Sequence, residues 1–127
     1  MKMKALVHVG FIPRFKWADT LLFTGNGPSL RRLAELVEGG PETRNDLADL
    51  LRCQGMTLKV IAKADETAVI KQGSDFVWCI SGQDGPRYAA QIGAVADSTG
   101  HHYLDSSGAA DIDVMVSHGE YDTAVFS

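Results

Sequence analysis

Two stretches of the chain are versions of one pattern. Leu22-Phe23-Thr24-Gly25-Asn26-Gly27-Pro28 and Cys79-Ile80-Ser81-Gly82-Gln83-Asp84-Gly85-Pro86 each run from apolar residues through a hydroxyl residue, a glycine and a polar turn to Gly-Pro. Helical spacing follows both, with Leu30, Ala34 and Val37 after the first and Tyr88, Ile92 and Val95 after the second. Further on, Leu58 and Val60 align with Val114 and Val116, and Thr67-Ala68-Val69-Ile70 returns as Thr123-Ala124-Val125-Phe126. The offset is 57 residues at Gly25/Gly82, 58 at Pro28/Pro86 and 56 at Thr67/Thr123. Agreement of order, type and spacing at three places is the mark of a duplication.

Each copy makes local physical sense as strand, helix, strand, strand. The turn glycine supplies backbone freedom, and a proline at the first helical position loses no hydrogen bond because that N–H has no intrahelical acceptor. Gly39-Gly40 ends the first helix. Leu47, Leu50 and Leu51 predict a second short helix ending near Gly55, where the other copy has Gly100 and a Ser106-Ser107-Gly108 loop. Alternation marks the closing strands: Leu58, Val60 and Ala62 on one face, Lys59 and Lys63 on the other, and Val114 and Val116 flanking Met115 beyond Asp113. Gln72-Gly73-Ser74 is a turn that joins the copies as a hairpin.

The expectation is therefore an α+β fold. A single mainly antiparallel sheet would carry helices on one face, built from two tandem repeats plus an extra N-terminal strand over Met3 to Val9. One domain covers 1–127: residues 1–17 form the first strand and a basic, aromatic loop, 18–72 the first repeat and 75–127 the second. At 127 residues the chain is long enough to bury a core unaided. Its apolar runs are far short of the roughly 18 to 20 residues a membrane span needs. Lys2, Lys4 and the apolar residues after them imitate a signal peptide, but His8 and Gly10 interrupt the run, and a buried strand fits better. Cys53 and Cys79 lack CxxC spacing and read as two reduced, buried thiols of a cytoplasmic protein.

Charge is lopsided. Residues 1–17 carry four bases and no acid, 18–74 eight acids and seven bases, and 75–127 eight acids against the single base Arg87, for nets of +4, −1 and −7. Such a field repels nucleic acid and attracts a basic protein partner. A solvated acidic face that merely keeps the chain soluble is the plainer alternative.

No sequence motif announces catalysis. The Gly25–Ser29 turn lacks the lysine and spacing of a P-loop. His101 and His102 are adjacent and diverge in any regular segment. His118 has Glu120 and Asp122 nearby, a set that could ligate a metal or move protons, although a polar turn explains it as well. Asp65-Glu66 and Glu120-Asp122 read as acidic tips of equivalent hairpins. Phe15 and Trp17 flank a basic residue in the Phe11–Trp17 loop and are of the type that anchors protein contacts.

The run Leu21-Leu22-Phe23-Thr24-Gly25-Asn26-Gly27-Pro28-Ser29-Leu30-Arg31-Arg32-Leu33-Ala34-Glu35-Leu36 resembles the opening of small bacterial immunity proteins of polymorphic and contact-dependent toxin systems. The resemblance implies a cytosolic protein without cofactor that neutralises one cognate toxin domain, often a nuclease. The leading expectation is a non-enzymatic inhibitor that meets a basic partner through Asp111, Asp113, Glu120 and Asp122, with Phe15 and Trp17 as anchors. Two alternatives stand beside it. One is a small enzyme or metal-binding domain using His118 with nearby carboxylates; the other is a small-ligand-binding or homo-oligomerising module.

Overall fold

The computed structural model describes residues 7–15, 18–38, 50–104 and 112–119. Strand β1 (Val7–Phe15) pairs antiparallel with β2 (Ala18–Gly25), and helix α1 (Gly27–Glu38) follows. Strands β3 (Leu51–Cys53), β4 (Thr57–Ala64), β5 (Ala68–Gln72) and β6 (Asp75–Ser81) lead to helix α2 (Asp84–Ala96), then β7 (Gly100–Tyr103) and β8 (Ile112–His118).

The strands form two sheets, one ordered β3-β1-β2-β8-β7 and one ordered β4-β6-β5. Both are mixed: β3 runs parallel to β1, β8 to β2 and β4 to β6. The α+β class stands, while the single mainly antiparallel sheet expected from the sequence is replaced by these two. Side-chain alternation decides which face a strand shows, not which strand lies beside it or in which direction. A connection that carries a helix, or for β4 and β6 the intervening strand β5, is long enough to bring a strand back parallel.

Three local expectations also change. The segment from Phe11 to Phe15 is strand rather than loop, held by pairs such as Phe11 with Leu21 and Ile12 with Thr20, with an irregularity before Phe15. Leu51, expected to close a short helix, opens β3 instead; Leu47 lies outside the described residues. Asp65-Glu66 is not a hairpin tip, because β6 lies between β4 and β5. The turn at Gly73, with φ of 63°, is where the sequence places it.

Both helices begin as their sequences direct. Asn26 caps α1: its Oδ1 accepts from the Ser29 N–H at 2.9 Å and from the Ser29 hydroxyl at 2.6 Å. Leu30, Leu33, Leu36 and Val37 form the buried stripe of α1, and Tyr88, Ala89, Ile92, Val95 and Ala96 that of α2. These stripes join Val7, Val9, Leu21, Phe23, Val114 and Val116 of the larger sheet and Phe76, Trp78 and Ile80 of the smaller one in one core. Phe11 packs on Phe76 at 5.0 Å between ring centroids, and Trp78 lies between Phe23 at 5.2 Å and Tyr88 at 6.0 Å. The opposite face of the larger sheet is buried too, at Thr20, Leu22, Thr24, Met115 and Ser117. The smaller sheet is buried on one face only.

The helices pack against each other in antiparallel sense. The first residue of α1, Gly27, lies against the last carbonyl of α2, and Gly85 in the first turn of α2 faces the Val37 carbonyl near the end of α1.

Candidate functional site

Of the six residues expected to meet a partner, Asp111, Glu120, Asp122 and Trp17 lie outside the described residues. Phe15 is placed as the last residue of β1, and Asp113 is half-buried on β8 opposite Thr20. The four described acids of residues 75–127 are dispersed. Asp84 and Asp97 stand at opposite ends of α2, Asp75 opens β6, where its Oδ1 accepts from the Thr57 hydroxyl at 2.6 Å, and Asp113 is on β8.

Two of those acids are bound to arginines. Asp97, just past the end of α2, pairs with Arg31 of α1 on the surface. Asp84 is different, being buried in the first turn of α2. Arg87 Nη2 donates to its Oδ1 at 2.6 Å and the Thr67 hydroxyl to its Oδ2. The Thr67 oxygen accepts from the Ser81 N–H at 2.9 Å, and the Ser81 hydroxyl accepts from the Asp84 N–H at 3.0 Å. Burial pushes the Asp84 carboxyl up, but the bonds from Arg87 and Thr67 and the nearby positive charge more than offset this and hold it below the ordinary carboxylate range. A carboxylate saturated in this way ties α2 to the end of β6 and to Thr67, just before β5, and is not free to act as a base. Local sequence gave little warning of it, since Thr67 and Ser81 are remote from each other along the chain.

His118 also has a structural setting. Its Nδ1 lies 3.0 Å from the Val95 carbonyl and 2.6 Å from that of Ser98. Because both neighbours are acceptors, Nδ1 carries the proton and donates to the end of α2, leaving only Nε2 for other chemistry. The expected companions Glu120 and Asp122 lie outside the described residues. Among the described residues no three His, Cys, Asp or Glu side chains come together as a metal site. Cys53 and Cys79 are free, half-buried rather than fully buried, and in different sheets; burial pushes the Cys53 thiol up.

Two surface features remain. An open groove of about 400 Å³ runs between α2, at Ala90 and Ala94, and the edge strand β7, at His101 and His102. The buried Oε1 of Gln91, in its wall, has no hydrogen-bond partner among the described residues. The second feature is the outer face of the smaller sheet, where cross-strand pairs place Ile61 beside Cys79 and Ile70 beside Val77. Ile61 and Ile70, exposed at 36% and 46%, are the exposed large apolar residues of the described chain. The rim of that face is mixed, with Lys59 and Lys63 on β4, Asp65 and Glu66 in the following turn, and Asp75 at the other end.

Comparison with known proteins returns no matching family model, curated protein or solved structure. Among the described residues, no helix is long and apolar enough to cross a membrane.

Proposed function

We propose that this is a non-enzymatic protein-binding protein, an inhibitor of the immunity type that neutralises a cognate toxin domain by covering it. The supporting observation is the fate of Arg87. It is the one base among residues 75–127, and it is held by the buried Asp84. The acid excess of that half therefore finds no counter-charge within its own sequence beyond this internal pair. Among the described acids of that half, Asp97 is also met by Arg31 of α1; the negative field that remains steers a basic partner and accelerates its docking. Ile61, Ile70 and Val77 offer apolar area that a bound partner would remove from water, at about 25 cal/mol per Å². The frame that presents these features we read as two tandem copies of one unit.

The reading is tested by immobilising the full chain, capturing its partner from the native host and from competing strains, and measuring the association rate of the purified partner at low and high salt. A basic partner whose association slows steeply with salt, and whose toxicity the chain suppresses, is the expected result. An acidic partner, or a rate indifferent to salt, contradicts it.

A further inference from the structure

The two sheets repeat one arrangement, and each is completed by the other half of the chain. The hairpin β1–β2 is followed by α1, and the strand lying parallel beside β2 is β8. The hairpin β5–β6 is followed by α2, and the strand lying parallel beside β6 is β4. Each half thus gives its closing strand to the sheet of the other. The helices obey the same exchange, each presenting its N-terminal glycine to the C-terminal carbonyls of the other. The match is not perfect. Val60 lies opposite Trp78 while its sequence counterpart Val116 lies opposite Phe23, a slip of two residues that preserves which side faces the core.

We infer that the molecule is an internally fused, strand-exchanged pair, and that a second copy of the chain can replace either half. Residues 7–64 of one copy would close around residues 68–118 of another, reproducing every contact made within a single chain. What holds the two halves of one molecule together covalently is residues 65–67 alone. That link crosses the end of β6 from Ala64, opposite Ser81, to Ala68, opposite Cys79. Strands two places apart are separated by about 9.6 Å. Four Cα steps reach at most about 14 Å, so the link spans the gap with little to spare.

Removing Asp65 and Glu66 leaves two steps, at most about 7 Å, which is less than the gap. Both residues are exposed, and Thr67 keeps its bonds to Ser81 and Asp84. The deletion variant can no longer close on itself, but two copies can close on each other with the shortened link extended between them.

Sedimentation of the full chain lacking only Asp65 and Glu66 tests this. The expected species is a dimer of twice the 13.7 kDa chain mass, with the circular dichroism of the parent and the same buried Trp78 emission. A companion variant, with a flexible Gly-Ser insert between Asp65 and Glu66 in place of the deletion, should be a folded monomer. A folded monomer from the deletion variant would overturn the inference, and so would a chain that stays unfolded at every concentration. None of these outcomes depends on what the protein binds.

Discussion

Gly27, the first residue of α1, sits against the carbonyl oxygen of Ala96, the last residue of α2, so closely that a Cβ built on Gly27 would stand 2.9 Å from that oxygen. The neighbour is backbone at a helix end and cannot swing aside. Gly27→Ala should therefore push the helices apart and lower stability by about 1–3 kcal/mol. At Gly85 the corresponding Cβ would lie 3.5 Å from the Val37 oxygen, an ordinary contact. Gly85→Ala should be neutral or, through helix propensity, stabilising by up to about 1 kcal/mol. Thermal melts of the two variants side by side check the contrast; equal losses would show that the helix-end contacts do not differ as described.

Asp84 makes the fold sensitive to acid. Its carboxyl is held below the value it has in the unfolded chain, so it binds a proton less readily when folded. Its contribution is therefore fully present above the unfolded carboxylate value, about pH 4, and is lost as pH falls through the lower folded value. Asp84→Asn should cost about 2 kcal/mol at neutral pH, since it keeps the shape but weakens the bonds from Arg87 and Thr67. That deficit should shrink toward low pH. Urea unfolding of both proteins across the acid range measures it, and a deficit constant down to the most acidic point would contradict the assignment.

Lys63 lies in the irregularity of β4 with φ of 57°, the left-handed region where side chains are strained. Lys63→Gly should leave stability unchanged or raise it by about 1 kcal/mol. Lys59→Gly, in the regular part of the same strand, should lower it by about 0.5–1 kcal/mol. Opposite signs in chemical denaturation are the result to look for.

The outer face of the smaller sheet is open, so its apolar residues add little to folding. Ile70→Ser, at a side chain 46% exposed, should change stability by about 0.5 kcal/mol or less. Ile80→Ser, at a side chain with no exposure on the other face, should cost at least about 3 kcal/mol. If the immunity-type reading holds, Ile70→Ser should nevertheless slow or weaken partner binding, which calorimetry on the captured partner would report.

Ser117 is buried on β8, and its hydroxyl has no hydrogen-bond partner among the described residues. Ser117→Ala removes a desolvated polar group without opening space, and should raise stability by about 1 kcal/mol. A lower melting temperature in the variant would mean the hydroxyl is satisfied after all.

Much of the local structure could be read from residue order. Gly25 to Pro28 and Gly82 to Pro86 mark the two helix starts, and Leu30, Val37, Tyr88, Ile92 and Val95 lie on the buried stripes as their spacing requires. Leu58 and Val60 turn toward the core while Lys59 faces water. Sequence and structure part where a short segment has no strong periodicity. Leu51 suits a helix or a strand equally, and only the neighbouring β1 settles it. The sequence places Phe11 and Ile12 in a basic, aromatic loop, yet pairing with Leu21 and Thr20 extends the strand through them. A count of charges treats Asp84 and Asp97 alike, whereas Asp84 belongs to a buried network drawn from α2, the end of β6 and the residue before β5.

The sequence by itself determined where the helices begin, which side of each element faces the core, and how unevenly charge is distributed, because each depends on residues a few positions apart. Only the tertiary structure decided that β8 lies beside β2 and β4 beside β6, that there are two sheets, and that Arg87 is spent on Asp84. Backbone hydrogen bonds between strands are the same whatever the side chains, so alternation chooses a face but not a neighbour. The neighbour is chosen when both helices and both sheets close a common core at once, and that condition spans the whole chain.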